Sequence, residues 1–169
     1  MLSLNRLSNS DAELLIKGAR IKANEIKVPM CISVVDESGN LIAFERMDGG
    51  KITSITVSQD KAFTAAAARK ATHEYNAACI PGNLVFGIHT ALNGRLSVVG
   101  GGLPVIVDGE VVGGIGLSSG TPNQDMDCAQ AGINYFMEKI DSWRIFYIVY
   151  CWLNLLKENE CMPRSLKNC

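Results

Sequence analysis

Apolar residues near the start of the chain recur at spacings of four and three, the period of one helix face. Residues 10–13 precede this stripe and have the form of a capping box, in which Ser10 and Glu13 each satisfy a free backbone donor. Pro29 follows the stripe and blocks helix continuation. The pattern predicts a first helix that covers a sheet. Its stripe consists of Leu15, Ala19, Ala23 and Ile26.

Short runs rich in β-branched and apolar residues predict strands at residues 31–35 and 41–44. The polar residues 36–40 between them contain a glycine and suit a tight reversal, so these runs predict a β-hairpin. Further strand candidates follow, and the last two are joined by Asp108-Gly109-Glu110, which predicts a second hairpin. These candidates are residues 96–99, 104–107 and 111–117.

The stretch 54–70 is alanine-rich and free of glycine and proline, which favours a helix thin enough for close packing. Thr72 is a candidate cap for a short helix through Ala78. The secondary structure of residues 84–94 is ambiguous from the sequence. Residues 125–140 predict a last helix from their apolar spacing. Because strands and helices do not alternate strictly, a mostly antiparallel sheet covered by helices is favoured over a Rossmann-type parallel sheet.

The composition shifts after residue 140, which divides the chain into a domain at 1–140 and an atypical tail at 141–169. Residues 145–156 are apolar but too short to span a bilayer, which requires about 20 residues as a helix. The tail is either an amphipathic or interface helix, or a carboxyl extension that comes from altered reading or is an unusual terminus. Its aromatic residues are Trp143, Phe146, Tyr147, Tyr150 and Trp152.

With 169 residues and 47% hydrophobic composition, the chain has the size of one globular domain. Its formal net charge of -1 gives no reason to expect nucleic acid or an anionic membrane, so small molecules or proteins are the expected partners. The first residues lack the form of a secretory signal, and a cytoplasmic location is expected. The six cysteines fit no zinc pattern and are expected to be reduced thiols.

Two glycine-dense stretches, residues 100–104 and 113–120, invite a phosphate-binding interpretation. Neither has the lysine ending of a nucleoside triphosphate loop or the G-x-G-x-x-G spacing. Tight turns and close approach of helix to strand explain them better. The alternative is a ligand pressed against bare backbone.

The only two histidines, His73 and His89, stand on different predicted elements and cannot form a helical zinc pair. Either is a candidate axial ligand of heme iron or a general base, and either could equally satisfy local hydrogen bonds. Tyr75 and Met47 are other candidate iron contacts. No Gly-x-Ser-x-Gly nucleophile elbow occurs, so the sequence assigns no catalytic residue.

The loop at residues 46–48 presents a cation, a thioether and a carboxylate. Arg46 would suit a ligand that bears a carboxylate. The alternative is a surface pair between Arg46 and Asp48 beside a buried Met47.

Taken together, several motifs in this order and spacing resemble the GlcG/HbpS-like family. The resemblance extends to Gln124-Asp125 and residues 129–132, and it covers about residues 5–140. The motifs are Val35-Asp36-Glu37-Ser38-Gly39-Asn40-Leu41, Arg46-Met47-Asp48-Gly49, Asp60-Lys61-Ala62-Phe63-Thr64-Ala65, Pro81-Gly82, Gly101-Gly102-Leu103-Pro104-Val105, Asp108-Gly109 and Gly113-Gly114-Ile115-Gly116-Leu117-Ser118.

The resemblance implies an α+β fold, a three-layer α-β-α sandwich with a five-stranded antiparallel sheet that is roughly profilin-like, and assembly into homo-oligomers. Members of the family include heme-binding and heme-degrading proteins, a domain attached to corrinoid adenosyltransferases, and proteins encoded among glycolate, glycerol or diol utilisation genes. Heme is therefore the leading ligand. A porphyrin requires an apolar slot and cations for its propionates. The candidate cations are Arg46, Lys61, Arg69 and Lys70.

Three functions remain open from the sequence. The first is heme binding, in heme storage, sensing or degradation. The second is an accessory role in glycerol, diol, glycolate or corrinoid metabolism through protein contacts. The third is an enzyme that acts on a small hydroxy acid, with Arg46 binding the carboxylate. No acid–base pair can be named for such an enzyme.

Overall fold

The protein forms an antiparallel sheet with helices on both of its faces. This computed structural model describes residues 4–160. In chain order the elements are α1 (Asn9–Glu25), β1 (Cys31–Asp36), β2 (Leu41–Arg46), α2 (Ser54–Ala67), α3 (His73–Asn76), a 3₁₀ helix (Ile88–Gly94), β3 (Gly102–Val107), β4 (Glu110–Ser118) and α4 (Pro122–Glu160).

The sheet has the strand order β2-β1-β4-β3, and each neighbouring pair is antiparallel. Both predicted hairpins are present, as β1–β2 and β3–β4. In the first, the Asp36 carboxylate accepts the backbone N–H groups of Ser38 at 3.0 Å and Asn40 at 2.8 Å. Gly39 adopts the left-handed conformation that this turn requires. All six residues of β1 are buried, because it lies between β2 and β4 and is covered on both faces.

The predicted strand at residues 96–99 is wrong, and within residues 4–160 the sheet has four strands instead of the five expected. Side chains satisfy the backbone of this segment in place of a neighbouring strand. The Ser97 N–H donates to Thr64 Oγ1 at 2.9 Å, and Asn76 Nδ2 donates to the Val98 carbonyl at 3.4 Å. The sequence run has strand composition, but two of its backbone groups are bonded to side chains of Thr64 and Asn76.

Helix α2 lies on one face of the sheet and approaches β4 closely. Gly114 and Gly116 point toward it, and a Cβ on Gly116 would collide with backbone atoms of Ser58 and Ala62. The buried side of α2 is correspondingly small, with Ala62, Ala65 and Ala66. The glycine stretch of β4 is thus explained by close approach of helix to strand, as the sequence favours.

The opposite face is covered by α1 and the first part of α4, which makes a three-layer arrangement. Helix α1 packs on β1 and β2. Gly132 of α4 lies against Leu15 and Ala19 of α1, and a Cβ there would lie 3.0 Å from Ile115 Cδ1 of β4. Residues at alternating positions of β4 thus face different helical layers, as the pleat of a strand requires.

Two helices begin at other residues than the sequence predicts. Helix α1 is capped by Ser8, whose hydroxyl accepts the Asp11 N–H at 3.2 Å while Asp11 bonds the Ser8 N–H at 2.8 Å. The capping box predicted at residues 10–13 is wrong, because the cap and its return bond lie two residues earlier, with Asp11 in the place of the expected glutamate. Helix α1 ends at Glu25, short of Pro29. Helix α4 begins at Pro122, earlier than the predicted residue 125.

The described chain divides into two compact units between Phe136 and Met137. In the second unit the helix continues to Glu160, and the aromatic rings of Phe146 and Tyr150 stack with centroids 6.4 Å apart. Residues 161–169 of the predicted tail, with Cys161 and Cys169, lie outside the described residues. Within residues 4–160, no helix combines the length and apolarity needed to cross a membrane.

Replacing Gly116 by alanine is expected to lower the free energy of unfolding by about 1–3 kcal/mol or more, because the new methyl group meets the backbone of α2. Urea unfolding followed by circular dichroism measures the change. Thr56→Ala on the exposed side of α2 is the control, with an expected effect within about 0.5 kcal/mol. A Gly116→Ala protein as stable as the control would contradict the packing described.

Candidate functional site

The site begins with a lysine in the core. Lys61 lies on the small, buried side of α2 next to Ala62, and only 1% of its surface is exposed. Its ammonium group donates to Asp125 Oδ2 at 2.8 Å and to the Leu117 carbonyl at 2.8 Å. The remaining carboxylate oxygen, Asp125 Oδ1, accepts the Gly120 N–H at 3.0 Å. The ion pair therefore joins α2, the end of β4 and the first turn of α4.

Opposing effects act on the pKa of the Asp125 carboxyl group. Burial raises its pKa, while the hydrogen bond and charge of Lys61 and the Gly120 N–H oppose that rise. Among the described residues, every buried side-chain nitrogen and oxygen has a hydrogen-bond partner. Lys61 Nζ and both oxygens of Asp125 thus have hydrogen-bond partners, which makes a buried ion pair tolerable.

Residues 100–102, which we call the glycine turn, cover this ion pair. Gly101 has φ +118°, and a Cβ there would lie 2.9 Å from Lys61 Nζ and 2.7 Å from Asp125 Cβ. Only glycine fits both the conformation and the space. The turn is held in place by Thr72, whose N–H donates to the Gly102 carbonyl and whose hydroxyl accepts the Gly102 N–H, both at 3.0 Å.

Thr72 therefore does not serve as the helix cap that its position suggested. Its side chain makes no cap hydrogen bond to α3, which spans only His73–Asn76 and ends before Ala78. The hydroxyl is used by the glycine turn instead. As a result, α3 begins directly beside that turn.

The outer side of the glycine turn is bordered by His73 and Met126. A Cβ on Gly100 would lie 3.4 Å from His73 Cβ and 3.0 Å from Met126 Sδ, so bare backbone separates these two side chains. His73 is exposed, and no described residue forms a hydrogen bond with its ring. An imidazole and a thioether are both groups that bind heme iron in proteins.

Two more of the predicted site residues lie with His73. The Lys70 ammonium is 5.0 Å from the centre of the Tyr75 ring, and it also forms an ion pair with Glu74 at 3.8 Å. Both Lys70 and Tyr75 are half-buried. Lys70, His73 and Tyr75 thus belong to one short segment of the chain, in which the structure places the Lys70 ammonium over the Tyr75 ring.

The chain that follows α3 exposes large apolar side chains. We call residues 77–99 the apolar loop. It comprises turns and the 3₁₀ helix, which resolves the ambiguous stretch 84–94 as non-strand structure. Its exposed apolar residues are Ile80, Leu84, Phe86, Leu92 and Val99.

The remaining predicted site residues occupy other places. His89 is on the 3₁₀ helix, with its Nδ1 3.1 Å from Cys79 Sγ. Lys61 is in the core ion pair. Arg69 lines a cavity of about 240 Å³ beside Glu37 and Glu110, at the sheet end where the hairpins turn.

Arg46 is the last residue of strand β2, and Met47 follows it. The Met30 N–H donates to Met47 Sδ at 3.4 Å, and Met47 is half-buried. Arg46 is exposed, and the described residues contain no ion pair between it and Asp48. The surface pair weighed from the sequence is therefore not present.

Sequence reasoning did not select Asp125, Met126 or Cys79 as site residues. A lysine within an alanine-rich stripe was a signal for a buried acidic partner, because an unpaired buried charge is costly. Nothing in the sequence near residue 61 indicates that the partner lies in α4. Met126 and Cys79 become candidate functional residues only because the fold places Met126 beside Gly100 and Cys79 beside His89.

The fold and the glycine turn define a class of α+β domain in which helices on both faces enclose an antiparallel sheet. The model of the family "Haem degrading protein HbpS-like" matches residues 7–134. The chain belongs to this family.

Relatives and a solved structure agree with this assignment. An uncharacterised 15.0 kDa protein in the dhaT-dhaS intergenic region of Citrobacter freundii is 40% identical over 127 residues, which are 75% of this chain and 89% of that protein. The corrinoid adenosyltransferase PduO of Citrobacter freundii is 35% identical over 127 residues, and the match spans 75% of this chain but only 38% of that enzyme. The crystal structure of a PduOC:heme complex superimposes with a TM-score of 0.74 at 35% identity and covers 77% of this chain and 94% of that one.

Replacing Lys61 by methionine is expected to lower the free energy of unfolding by about 3–5 kcal/mol near neutral pH, because Asp125 is left buried without its cation. The double variant Lys61→Met/Asp125→Leu, which removes both charges, is expected to regain most of that loss. Chemical unfolding of the wild type and the single and double variants measures the coupling.

The Lys61→Met deficit is also expected to shrink as the pH falls. Without Lys61 the pKa of Asp125 rises further above its unfolded value, so the folded state takes up a proton first and the buried charge disappears. Stability relative to the wild type therefore falls as the pH rises through the folded pKa. A deficit that is constant with pH, or a double variant no better than Lys61→Met, would show that the ion pair has a different role.

Proposed function

We propose that this protein binds heme on the surface formed by α3, the glycine turn and the apolar loop. One observation carries the proposal. The exposed His73 and five exposed large apolar side chains lie within residues 73–99. A porphyrin offers a broad apolar face together with an iron that accepts an imidazole, and this segment supplies both kinds of partner.

His73 is the iron ligand in this proposal. Its ring is exposed and makes no hydrogen bond to any described residue, so no existing contact opposes ligation. Met126, across Gly100, is the second candidate iron contact. His89 already contacts Cys79, and we do not assign it to the iron.

Heme, when bound, supplies an iron centre for ligand binding or electron transfer, and the chain's own residues hold it. Lys70 is the cation nearest to His73 in sequence, and its ammonium can turn from Glu74 toward a propionate because their 3.8 Å contact lies at the surface. Tyr75 offers a ring face beside it. The glycine turn adds no side chain, so a flat ligand can approach its backbone.

The kinship to a PduOC:heme complex supports this proposal at the level of the family. Storage or delivery is favoured among the roles of a heme-binding protein. His73 belongs to a four-residue helix and is exposed, and such a ligand allows heme to leave as well as bind. We expect a homo-oligomer in the cytoplasm, where the resting state of the free cysteines Cys31, Cys79 and Cys128 is the thiol and not a structural disulfide.

Hemin titration of the purified full-length protein, followed by absorption spectroscopy, tests the proposal. A saturable Soret band is expected for the wild type. His73→Ala is expected to weaken binding by about tenfold or more and to shift the band, because the imidazole bond to iron is lost. Light scattering of the same samples reports the oligomeric state.

His89→Ala is the matched control, since it removes the other exposed histidine from the same surface, and it is expected to keep the wild-type band. A wild-type spectrum in His73→Ala, or its loss in His89→Ala alone, contradicts the assignment of the ligand. Absence of saturable binding by the wild type contradicts heme binding itself.

A second candidate function is an accessory role in corrinoid metabolism. It is favoured by the match to PduO, in which a region similar to this chain is joined to the rest of a corrinoid adenosyltransferase. In that case the apolar loop would contact a protein. Stable co-purification with a corrinoid-dependent dehydratase or its reactivase, without hemin binding, would support this candidate over the first.

A further inference from the structure

Cys79 and His89 form a pair that the proposed heme site does not use. Cys79 follows α3, and His89 lies ten residues further on, in the 3₁₀ helix. The intervening chain folds back, so that Cys79 Sγ lies 3.1 Å from His89 Nδ1. Cys79 is half-buried and His89 is exposed, which leaves the pair accessible from solvent.

The backbone around this pair also favours a negative charge on sulfur. Gly87 has φ +90°, and this left-handed residue starts the turn that carries His89. The hydrogen bond from His89 lowers the pKa of the Cys79 thiol; partial burial opposes this, and the backbone amides of Gly87 and His89 lower it further. Among the described residues, His89 is the titratable group that acts on Cys79.

We propose that Cys79 is a nucleophilic thiol activated by His89 and a site of reversible oxidation by hydroperoxides. The imidazole accepts the thiol proton, which gives a thiolate beside an imidazolium. A cysteine paired with a histidine in this way is the arrangement that activates sulfur for nucleophilic attack. His89 acts as the positioning and proton-holding residue, and Cys79 is the group that reacts.

The reaction balances with hydrogen peroxide as the oxidant. The thiolate sulfur attacks one peroxide oxygen, an S–O bond forms and the O–O bond breaks. Sulfur loses two electrons to the peroxide, and the departing hydroxide takes the imidazolium proton to become water. A small thiol then condenses with the sulfenic acid, which gives a mixed disulfide and a second water. A second equivalent of the small thiol attacks the mixed disulfide, which releases Cys79 as a thiol and leaves the disulfide of the small thiol.

Two other cysteines of the same molecule provide internal controls. Cys31 and Cys128 are buried, and burial raises the pKa of both, to about 11 for Cys128. Neither has a histidine beside its sulfur in the described structure. The three thiols therefore differ in both access and thiolate fraction within one protein.

Alkylation kinetics of the full-length, heme-free protein test the proposal. Iodoacetamide is added from about pH 5 to about pH 9, and peptide mass spectrometry follows each cysteine separately. Cys79 is expected to react at least about tenfold faster than Cys128 near neutral pH, with a midpoint below the ordinary cysteine value of about 8.5. Equal rates, or a Cys79 midpoint at or above that value, overturn the proposal.

His89→Gln keeps a polar, exposed side chain but removes the basic ring. It is expected to slow Cys79 about tenfold near neutral pH and to move its midpoint upward, while Cys31 and Cys128 remain unchanged. If His89 had only a structural role, the pH midpoint of Cys79 alkylation would be the same in the variant as in the wild type. Circular dichroism confirms that the variant is folded.

Hydrogen peroxide with dimedone as a sulfenic acid trap tests the oxidation step. Labelling at Cys79 that exceeds labelling at Cys31 and Cys128, and that falls in His89→Gln, is expected. Absence of the dimedone adduct and of a glutathione mixed disulfide at Cys79 overturns the step. Because hemin is absent throughout, these outcomes are independent of the heme proposal.

Discussion

The ion pair between Lys61 and Asp125 lies where three parts of the protein meet: α2, the end of β4 and the start of α4. Both charges are removed from water, so neither side chain can change its position without leaving the other uncompensated. This constraint fixes the place of the glycine turn, because Gly101 packs directly on the pair. Thr72 then holds the turn from the other side, and α3 starts from Thr72.

The candidate ligand surface thus lies directly over the buried ion pair of Lys61 and Asp125. Asp125 points into the core and its neighbour Met126 borders Gly100, so consecutive residues of α4 serve the ion pair and the surface. On the other side, His73 and Tyr75 belong to the short helix α3, and Lys70, just before that helix, lies over the Tyr75 ring. A buried ion pair below and exposed side chains above suit a site that binds a flat ligand without reshaping the fold.

Much of the fold could be predicted from local patterns. Both hairpins follow from polar turns between apolar runs, and α2 follows from its alanines. The extra strand at residues 96–99 could not be excluded, because its backbone bonds go to Thr64 and Asn76, which are distant in sequence. The site was less predictable for the same reason. His73 could be named from its residue type, but its setting depends on Gly100 and Met126, and Lys61 acquires its meaning from a carboxylate 64 residues away.

The tight contact between α2 and β4 has a consequence for how such a domain can diversify. Gly114 and Gly116 already have the smallest side chain, and the alanines opposite have the next smallest. A larger residue on either surface therefore has no neighbour that can shrink to receive it. New sequence can enter more easily in the apolar loop, where the backbone is held at a few points and many side chains face outward. A scaffold of this kind separates the part of the chain that tight packing constrains from the part that can accept new side chains.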